Sequence, residues 1–97
     1  MTTINQYERG RQRGDRLRGA IRHNLTGFWT AVANRGIDRE TVRTESERVA
    51  DRLDAGTRAE IAGTAEAAGV AYRDLLAFNL FEENVVPDGC TVAIAAG

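Results

Sequence analysis

The sequence contains no lysine: its 13 basic side chains are all arginine, set against 14 aspartates and glutamates for a net charge of −1. Cysteine, proline and tryptophan occur once each, and aromatic residues make up 6% of the chain. A single cysteine excludes an internal disulfide framework and a cysteine-rich metal site within the chain. No stretch reaches the ~18 to 20 apolar residues that a membrane-spanning helix needs. Apolar residues still make up 42% of the 97 positions, which suits one small domain.

Targeting and metal-binding signals are also missing. The stretch 1–11 has no apolar segment behind its charges, so we expect no secretory signal and a cytoplasmic location. The one histidine, His23, falls about 200° around a predicted helix from Ile21 and should be solvated. A lone histidine cannot build a zinc site. We therefore expect no bound metal, no cofactor and no membrane partner.

Charge is unevenly distributed along the chain. Residues 1–22 hold six arginines against Glu8 and Asp15, a net charge of +4, whereas the remainder carries −5. A basic segment could bind nucleic acid, but this one has few aromatic residues for base stacking and no recognisable binding motif. Glu8 lies three residues from Arg11, and Asp15 lies three or four residues from other arginines, spacings that favour pairing along a helix. We interpret the segment as the solvated face of a helix, with no nucleic-acid partner.

A long helix is predicted first, with a bend at Thr26-Gly27 and an end at Gly36, a residue suited to the left-handed position that follows a helix. Gly10 and Gly14 lie on its apolar stripe, where each weakens the helix but permits close approach of another backbone. We therefore expect a second element to cross this helix tightly. Steps of three and four define the stripe, which comprises Tyr7, Gly10, Gly14, Leu17, Ile21, Leu25, Phe28 and Val32.

Three further helices are predicted. Asp38 offers an N-cap for a helix that runs to about Asp54. The spacing of Thr57 and Glu60 matches a capping box, so a third helix should begin there and close at Gly69. A fourth is expected from about Tyr72 to Glu83. Their predicted inner faces comprise Val42, Val49 and Leu53; Ile61, Ala65 and Ala68; and Leu75, Leu76, Asn79 and Leu80, with Phe78 and Phe81 toward the flanks.

The last stretch has a different character. Residues 84–89 include Pro87 and an Asp-Gly pair, a composition typical of turns. Residues 90–96 are uncharged and begin with β-branched side chains, which predicts a buried strand. A lone strand has no partner for its backbone groups. The predicted fold class is therefore mainly α, about four helices over residues 1–89, followed by the first strand of an absent sheet at 90–97.

Cys90 is the one candidate nucleophile. It follows a turn, begins the predicted strand and is preceded by Gly89, whose carbonyl a neighbouring thiol can approach without a Cβ in the way. Free cysteine is also among the most buried residue types, so a purely structural role is the alternative. The residues by themselves leave both interpretations open.

Three blocks of the sequence carry a likeness to a known family. Tyr7–Gly14 is similar to a glycine-spaced opening helix, Ile61–Val70 running into Asp74–Asn79 to a helix pair, and Asp88–Thr91 to a processing site. Together they resemble the amino-terminal part of the penicillin acyltransferase-like (acyl-CoA:6-aminopenicillanic acid acyltransferase) proteins, which are self-processing N-terminal-nucleophile hydrolases. Two positions depart from the family pattern, Ala67 where glycine is commoner and Thr64 where an aliphatic residue is usual. Both concern packing rather than chemistry.

The resemblance implies both a fold and an activity. Because proteins of this family are several times longer, it implies that the chain is the amino-terminal fragment of an α+β, αββα fold. It further implies cleavage between Gly89 and Cys90, with Cys90 as the nucleophile of an acyltransferase or amidohydrolase that acts on an amide or acyl-CoA substrate. The absent carboxyl-terminal catalytic portion would be its partner. The isolated 97-residue chain should be inactive.

A competing hypothesis is a non-enzymatic helical interaction module. It would bind a protein partner through the glycine-lined first helix or through its arginine-rich face. An unpartnered carboxyl-terminal strand could also join another chain's sheet.

Overall fold

A computed structural model describes residues 5–85 of the chain, with side chains described through Phe81. This part is mainly helical, as predicted, and contains five helices where four were predicted. Gly89, Cys90 and the predicted strand at 90–97 lie outside the described residues. The helices are α1 (Gln6–Arg16), α2 (Arg18–Asn34), α3 (Arg39–Ala50), α4 (Ala55–Ala68) and α5 (Tyr72–Val85).

The long first helix of the sequence prediction is two helices, and the chain breaks between them well before the predicted bend at Thr26-Gly27. The break falls at Leu17, whose φ of −108° and ψ of 19° leave the helical region. Thr26 lies inside the continuous α2, where its hydroxyl donates to the carbonyl of Arg22 at 3.0 Å. The apolar stripe runs unbroken through Leu17, so periodicity could not reveal the break. Its effect is that α1 packs chiefly on α4, while α2 contacts α5, α4 and α3.

Aspartate side chains cap the starts of α3 and α4. Asp38 accepts from the backbone N–H of Thr41 at 3.0 Å, which confirms the predicted cap of α3. The predicted start of this helix at Thr57 was wrong by two residues. Asp54 accepts from the Thr57 N–H at 2.8 Å, and α4 begins at Ala55. Gly69 closes α4 with a φ of 74°, the left-handed conformation predicted for it.

The core forms where α2 meets α5. The Phe28 ring packs edge-on against Trp29 and against Phe78, with ring centroids 4.9 and 5.5 Å apart. The predicted inner face of α5 needs one correction, because Phe78 is buried whereas Asn79 is exposed and donates to the carbonyl of Leu75 at 2.8 Å. The predicted inner residues of α4 are confirmed. The buried apolar core residues are Leu25, Phe28, Trp29, Val32, Ala50, Ile61, Ala65, Ala68, Leu75, Leu76, Ala77 and Phe78.

Helices α1 and α4 cross with their backbones in direct contact. A Cβ added at Gly10 would overlap the carbonyl oxygen of Glu60, and one at Gly14 would overlap that of Thr64. From the other side, a Cβ at Gly63 would overlap the carbonyl oxygen of Tyr7. The expectation that another element crosses Gly10 and Gly14 tightly is confirmed, and the crossing helix is α4. Within the described part of the chain, no helix is long and apolar enough to cross a membrane.

Candidate functional site

Helix α5 is the last described element before the predicted cleavage site in the sequence. This helix ends at Val85, and four residues, 86–89, separate its last residue from Cys90. Gly89 and Cys90 themselves lie beyond the described residues. All five described helices therefore precede the predicted cleavage site in the sequence.

Two of the three blocks that carry the family resemblance are in contact. Tyr7–Gly14 lies within α1, and most of Ile61–Val70 lies within α4, so the glycine crossing joins them. Asp74–Asn79 belongs to α5, which packs against α2, α3 and α4. Sequence spacing alone gave no indication that the first two blocks meet.

The two departures from the family pattern both face Gly14. A Cβ at Gly14 would come within 3.0 Å of the Cβ of Ala67 and would overlap the carbonyl oxygen of Thr64. Thr64 is buried, and its hydroxyl donates to the carbonyl of Glu60 at 2.8 Å, which satisfies the polar group inside the helix pair. Among the described residues, both positions thus concern packing.

Arginines of the basic segment bind α4. Arg11 pairs with Glu66, Arg13 lies 3.3 Å from Glu60, and Arg18 donates to the Ala67 carbonyl at 3.0 Å. The predicted pairing of Arg11 with Glu8 one turn away is absent from the ion pairs of the described residues, because α4 presents an acid to the same side chain. Half of the six arginines in residues 1–22 thus contact α4.

Tyr7 completes a small polar cluster with Arg11 and Glu66. The Tyr7 hydroxyl and the Arg11 guanidinium donate to different oxygens of the Glu66 carboxylate. The hydrogen bond from Tyr7 lowers the pKa of Glu66, with Arg11 acting in the same direction. The same bond raises the pKa of Tyr7. Tyr7 and Arg11 are half-buried and Glu66 is exposed, so the cluster joins α1 to α4 at the surface.

A groove of about 430 Å³ opens beside the break between α1 and α2. We call it the α2–α4–α5 groove after the helices that supply most of its walls. Among its lining residues, Arg13 and Glu60 are the ionisable ones, and they pair with each other. None of its lining residues within the described part of the chain is a histidine or a cysteine. Its lining residues are Arg13, Leu17, Ala20, Ile21, Asn24, Thr57, Glu60, Ile61, Thr64, Leu75, Phe78 and Asn79.

His23 is exposed on α2, as expected. No group of three or more histidines, cysteines or acids is placed to hold a metal ion among the residues the structure describes.

A cluster that sequence reasoning missed surrounds Trp29. The guanidinium of Arg39 lies 4.7 Å from the centre of its ring, and that of Arg43 lies 5.5 Å away. The Nε of Arg43 also donates to Asp74 at 2.6 Å, with both side chains largely buried. The spacing of Arg39 and Arg43 could have predicted that the two side chains lie close together, since residues four apart share a helix face. Trp29 gave no such indication, because it lies one residue beyond the predicted stripe.

The described residues form a helical unit with a backbone-to-backbone crossing between α1 and α4 and a groove lined by both polar and apolar side chains. No protein-family model, curated protein or solved structure matches this chain.

Proposed function

We propose that this chain is the amino-terminal part of an autoproteolytic precursor with a cysteine nucleophile, an acyltransferase or amidohydrolase of the N-terminal-nucleophile type. Cleavage would occur between Gly89 and Cys90. The helices would act as the scaffold that presents this bond, and residues 90–97 would begin the αββα core. Catalysis would need the carboxyl-terminal portion as partner.

The observation that carries the proposal is the contact between the two resemblance blocks. Tyr7–Gly14 and Ile61–Val70 are 47 positions apart at their nearest ends, yet their glycines lie in one crossing. Residues that pack in one tight interface must fit one another. The two blocks are therefore parts of a single structural unit. That unit leads through α5 to Val85, shortly before the Gly89–Cys90 bond.

The proposed cleavage requires only the Cys90 thiol, the Gly89 carbonyl and water. The Cys90 thiolate attacks the Gly89 carbonyl carbon; the new S–C bond forms, the Gly89–Cys90 C–N bond breaks, and the nitrogen takes a proton. Water then hydrolyses the thioester, which leaves a Gly89 carboxylate and a Cys90 with free thiol and α-amine. An α-amine has a reference pKa of about 7.7–8.0 and a thiol one of about 8.5, so the amine can take the thiol's proton.

Substrate turnover would follow from that new terminus. Cys90 would be acylated by an amide or acyl-CoA substrate, and the acyl group would pass to an amine or to water. An oxyanion hole and groups that orient the amine are also required. We assign these to the carboxyl-terminal portion, so the purified 97-residue chain should have no acyl-transfer or amidase activity. Activity of the 97-residue chain that disappears in Cys90→Ala would contradict this assignment.

The decisive experiment is intact-mass measurement and amino-terminal sequencing of the protein made from the complete reading frame. We expect two chains in the wild type, the second beginning with Cys90, and one uncut chain in Cys90→Ala. Cys90→Ser keeps a hydroxyl nucleophile and should cut more slowly. Gly89→Val should also slow the cut, because its branched side chain crowds the attacked carbonyl. An uncut wild type, or a reading frame that stops at Gly97, would oppose the proposal.

The alternative is a non-enzymatic helical module that binds a protein partner, and the α2–α4–α5 groove is the observation that favours it. The glycine-lined face of α1 no longer suits this role, because α4 already occupies it. Such a module would show no cleavage at Gly89–Cys90 and no effect of Cys90→Ala on partner binding. These outcomes separate the two functions.

A further inference from the structure

A second cavity, of about 440 Å³, lies against Trp29, between α2, the start of α3 and the connection from α4 to α5. We call it the Trp29 cavity. Its volume falls within the range of small-molecule sites, roughly 300–1,000 Å³. Leu25, Trp29 and Val70 give it an apolar wall, of which Leu25 and Trp29 are buried and Val70 is half-buried. This wall suits the apolar body of a small molecule.

The charge of this cavity has one sign. Within the described part of the chain, its ionisable lining residues are two arginines, Arg22 and Arg39. Neither takes part in an ion pair among the described residues. In the α2–α4–α5 groove, by contrast, Arg13 pairs with Glu60. Two arginines without an acid beside them favour an anionic ligand.

Arg39 is held at the cavity by the Trp29 ring, since its guanidinium lies 4.7 Å from the ring centre. A guanidinium above an aromatic ring keeps N–H donors in its own plane, where they match both oxygens of a carboxylate. Trp29 adds a further donor. Its side chain is 7% exposed, yet its Nε1–H has no acceptor among the described residues. Buried donors without a partner are uncommon in folded proteins, and an oxygen of a bound ligand would satisfy this one.

The other donors of the lining are already bonded. The hydroxyls of Thr26 and Thr30 donate to the carbonyls of Arg22 and Thr26, each at 3.0 Å. The backbone N–H groups of residues 69–70 donate to carbonyls of α4 at 3.3 and 3.0 Å. Among the described lining residues, the donors left for a ligand are therefore the guanidinium groups of Arg22 and Arg39 and the indole N–H.

We propose that the Trp29 cavity binds a small organic carboxylate whose apolar body packs on Leu25, Trp29 and Val70. The carboxylate oxygens accept from the guanidinium groups of Arg22 and Arg39. This site goes beyond the proposed function and is independent of it, because no residue that it uses takes part in the proposed cleavage.

A nuclear magnetic resonance titration of the 97-residue chain tests the site. The chain has one tryptophan, so the indole N–H of Trp29 gives a single cross-peak. Benzoate carries a carboxylate and an apolar body, benzamide is its neutral counterpart, and acetate keeps the charge without the body. We expect benzoate to shift this cross-peak saturably, with a Kd at least about tenfold lower than that of benzamide or acetate.

Arginine variants locate the site. Arg22→Gln and Arg39→Gln should each raise the benzoate Kd at least about fivefold, because each removes a charged donor. Arg9→Gln removes the same charge from an exposed position on α1 and should leave the Kd unchanged. Helical circular dichroism reports that each variant is folded. Because Arg39 also contacts Trp29, Arg22→Gln carries the test if Arg39→Gln unfolds.

Four results would overturn the proposal. Absence of a saturable shift with benzoate would exclude the site. A benzamide Kd equal to that of benzoate would show that the carboxylate is not recognised, and an equal acetate Kd would show that the apolar wall is not used. Equal weakening by Arg9→Gln and Arg22→Gln would mean that benzoate responds to the overall charge of the protein. Cleavage between Gly89 and Cys90 is measured separately, so failure of either proposal leaves the other standing.

Discussion

Gly63 of α4 lies so close to Tyr7 of α1 that a Cβ on Gly63 would overlap the Tyr7 carbonyl oxygen. The same Cβ would come within 3.0 Å of the Arg11 backbone nitrogen. The obstacle on both sides is backbone, which cannot rotate away as a side chain can. The separation of α1 and α4 is therefore set by the absence of side chains at Gly10, Gly14 and Gly63.

Gly63→Ala and Gly10→Ala should each destabilise the protein by about 3 kcal/mol, because overpacking against backbone forces the helices apart. Gly19→Ala and Gly27→Ala are matched controls within α2, where an added Cβ meets nothing within 4 Å. These controls should stabilise by roughly 0.5–1 kcal/mol, the ordinary gain of alanine over glycine in a helix. Urea unfolding followed by Trp29 fluorescence measures all four. If Gly63→Ala and Gly19→Ala changed the free energy of unfolding by the same amount, the tight crossing would be contradicted.

The sequence predicted that α1 would be crossed closely, but not by which helix. Glycines at Gly10 and Gly14 on an apolar stripe indicate a close approach, since they give up helix stability at positions that face inward. The identity of the partner depends on Gly63, which is 49 residues from Gly14 and shares no local pattern with it. Sequence periodicity indicates which face of a helix is apolar, but not which other helix packs against that face. The pairing of α1 with α4 could therefore not be predicted from it.

The break at Leu17 escaped prediction for a related reason. An apolar stripe that continues through the break looks the same as a single helix, and Leu17 is an ordinary helix-forming residue. The burial of Trp29 was not predicted, because Trp29 follows Phe28 directly and so lies beside the apolar stripe rather than three or four residues further along it. The candidate nucleophile, Cys90, came from local sequence context alone, and its environment remains a prediction.

The ion pair between Arg43 and Asp74 should contribute measurably to stability. Both side chains are largely buried, and Arg43 also lies over the Trp29 ring. Asp74→Ala should cost about 1.5–3 kcal/mol, the usual range for a hydrogen bond to a charged group. Asp74→Asn keeps an acceptor oxygen and should recover part of that loss.

The exposed pair of Glu45 and Arg48 is the control for this measurement. Glu45→Ala should change the free energy of unfolding by no more than about 0.5 kcal/mol, because an exposed i,i+3 pair is screened by solvent. Comparable losses in Asp74→Ala and Glu45→Ala would show that burial of the Arg43 pair does not matter.

Acid should destabilise the protein partly through Asp54. The Thr57 side chain and then the Thr57 backbone N–H lower the pKa of Asp54 at the α4 cap. A carboxyl with a lowered folded-state pKa stabilises the fold above its unfolded-state pKa of about 3.9, and this contribution is lost as pH falls through the folded-state value. Urea midpoints should therefore decline below about pH 5.

Asp54→Asn separates the cap from its charge. Asparagine is as good an N-cap as aspartate, so stability near neutral pH should be close to that of the wild type. The variant should lose less stability on acidification, because its cap does not titrate. An acid-induced decline as steep as that of the wild type would exclude Asp54 as a contributor.

Removal of the Tyr7 hydroxyl should raise the pKa of Glu66. The hydrogen bond from Tyr7 is the largest cause of the lowered Glu66 pKa, and the weaker effect of Arg11 would remain in Tyr7→Phe. Carboxyl carbon chemical shifts followed through an acid titration measure this pKa directly. In Tyr7→Phe the folded-state pKa of Glu66 lies closer to its unfolded-state value, so ionised Glu66 stabilises the fold less at neutral pH. The variant should therefore lose less stability than the wild type when the pH is lowered.

Tyr72→Phe is the matched control, since Tyr72 is a half-buried tyrosine at the start of α5, the helix that follows α4 in the chain. It should leave the Glu66 pKa unchanged. The reciprocal variant, Glu66→Gln, should lower the Tyr7 pKa toward its ordinary value of about 10, because the neutral amide no longer favours the protonated phenol. Ultraviolet absorbance in alkali follows that titration. If Tyr7→Phe and Tyr72→Phe shift the Glu66 pKa equally, the bond from α1 to α4 is not what holds that pKa low.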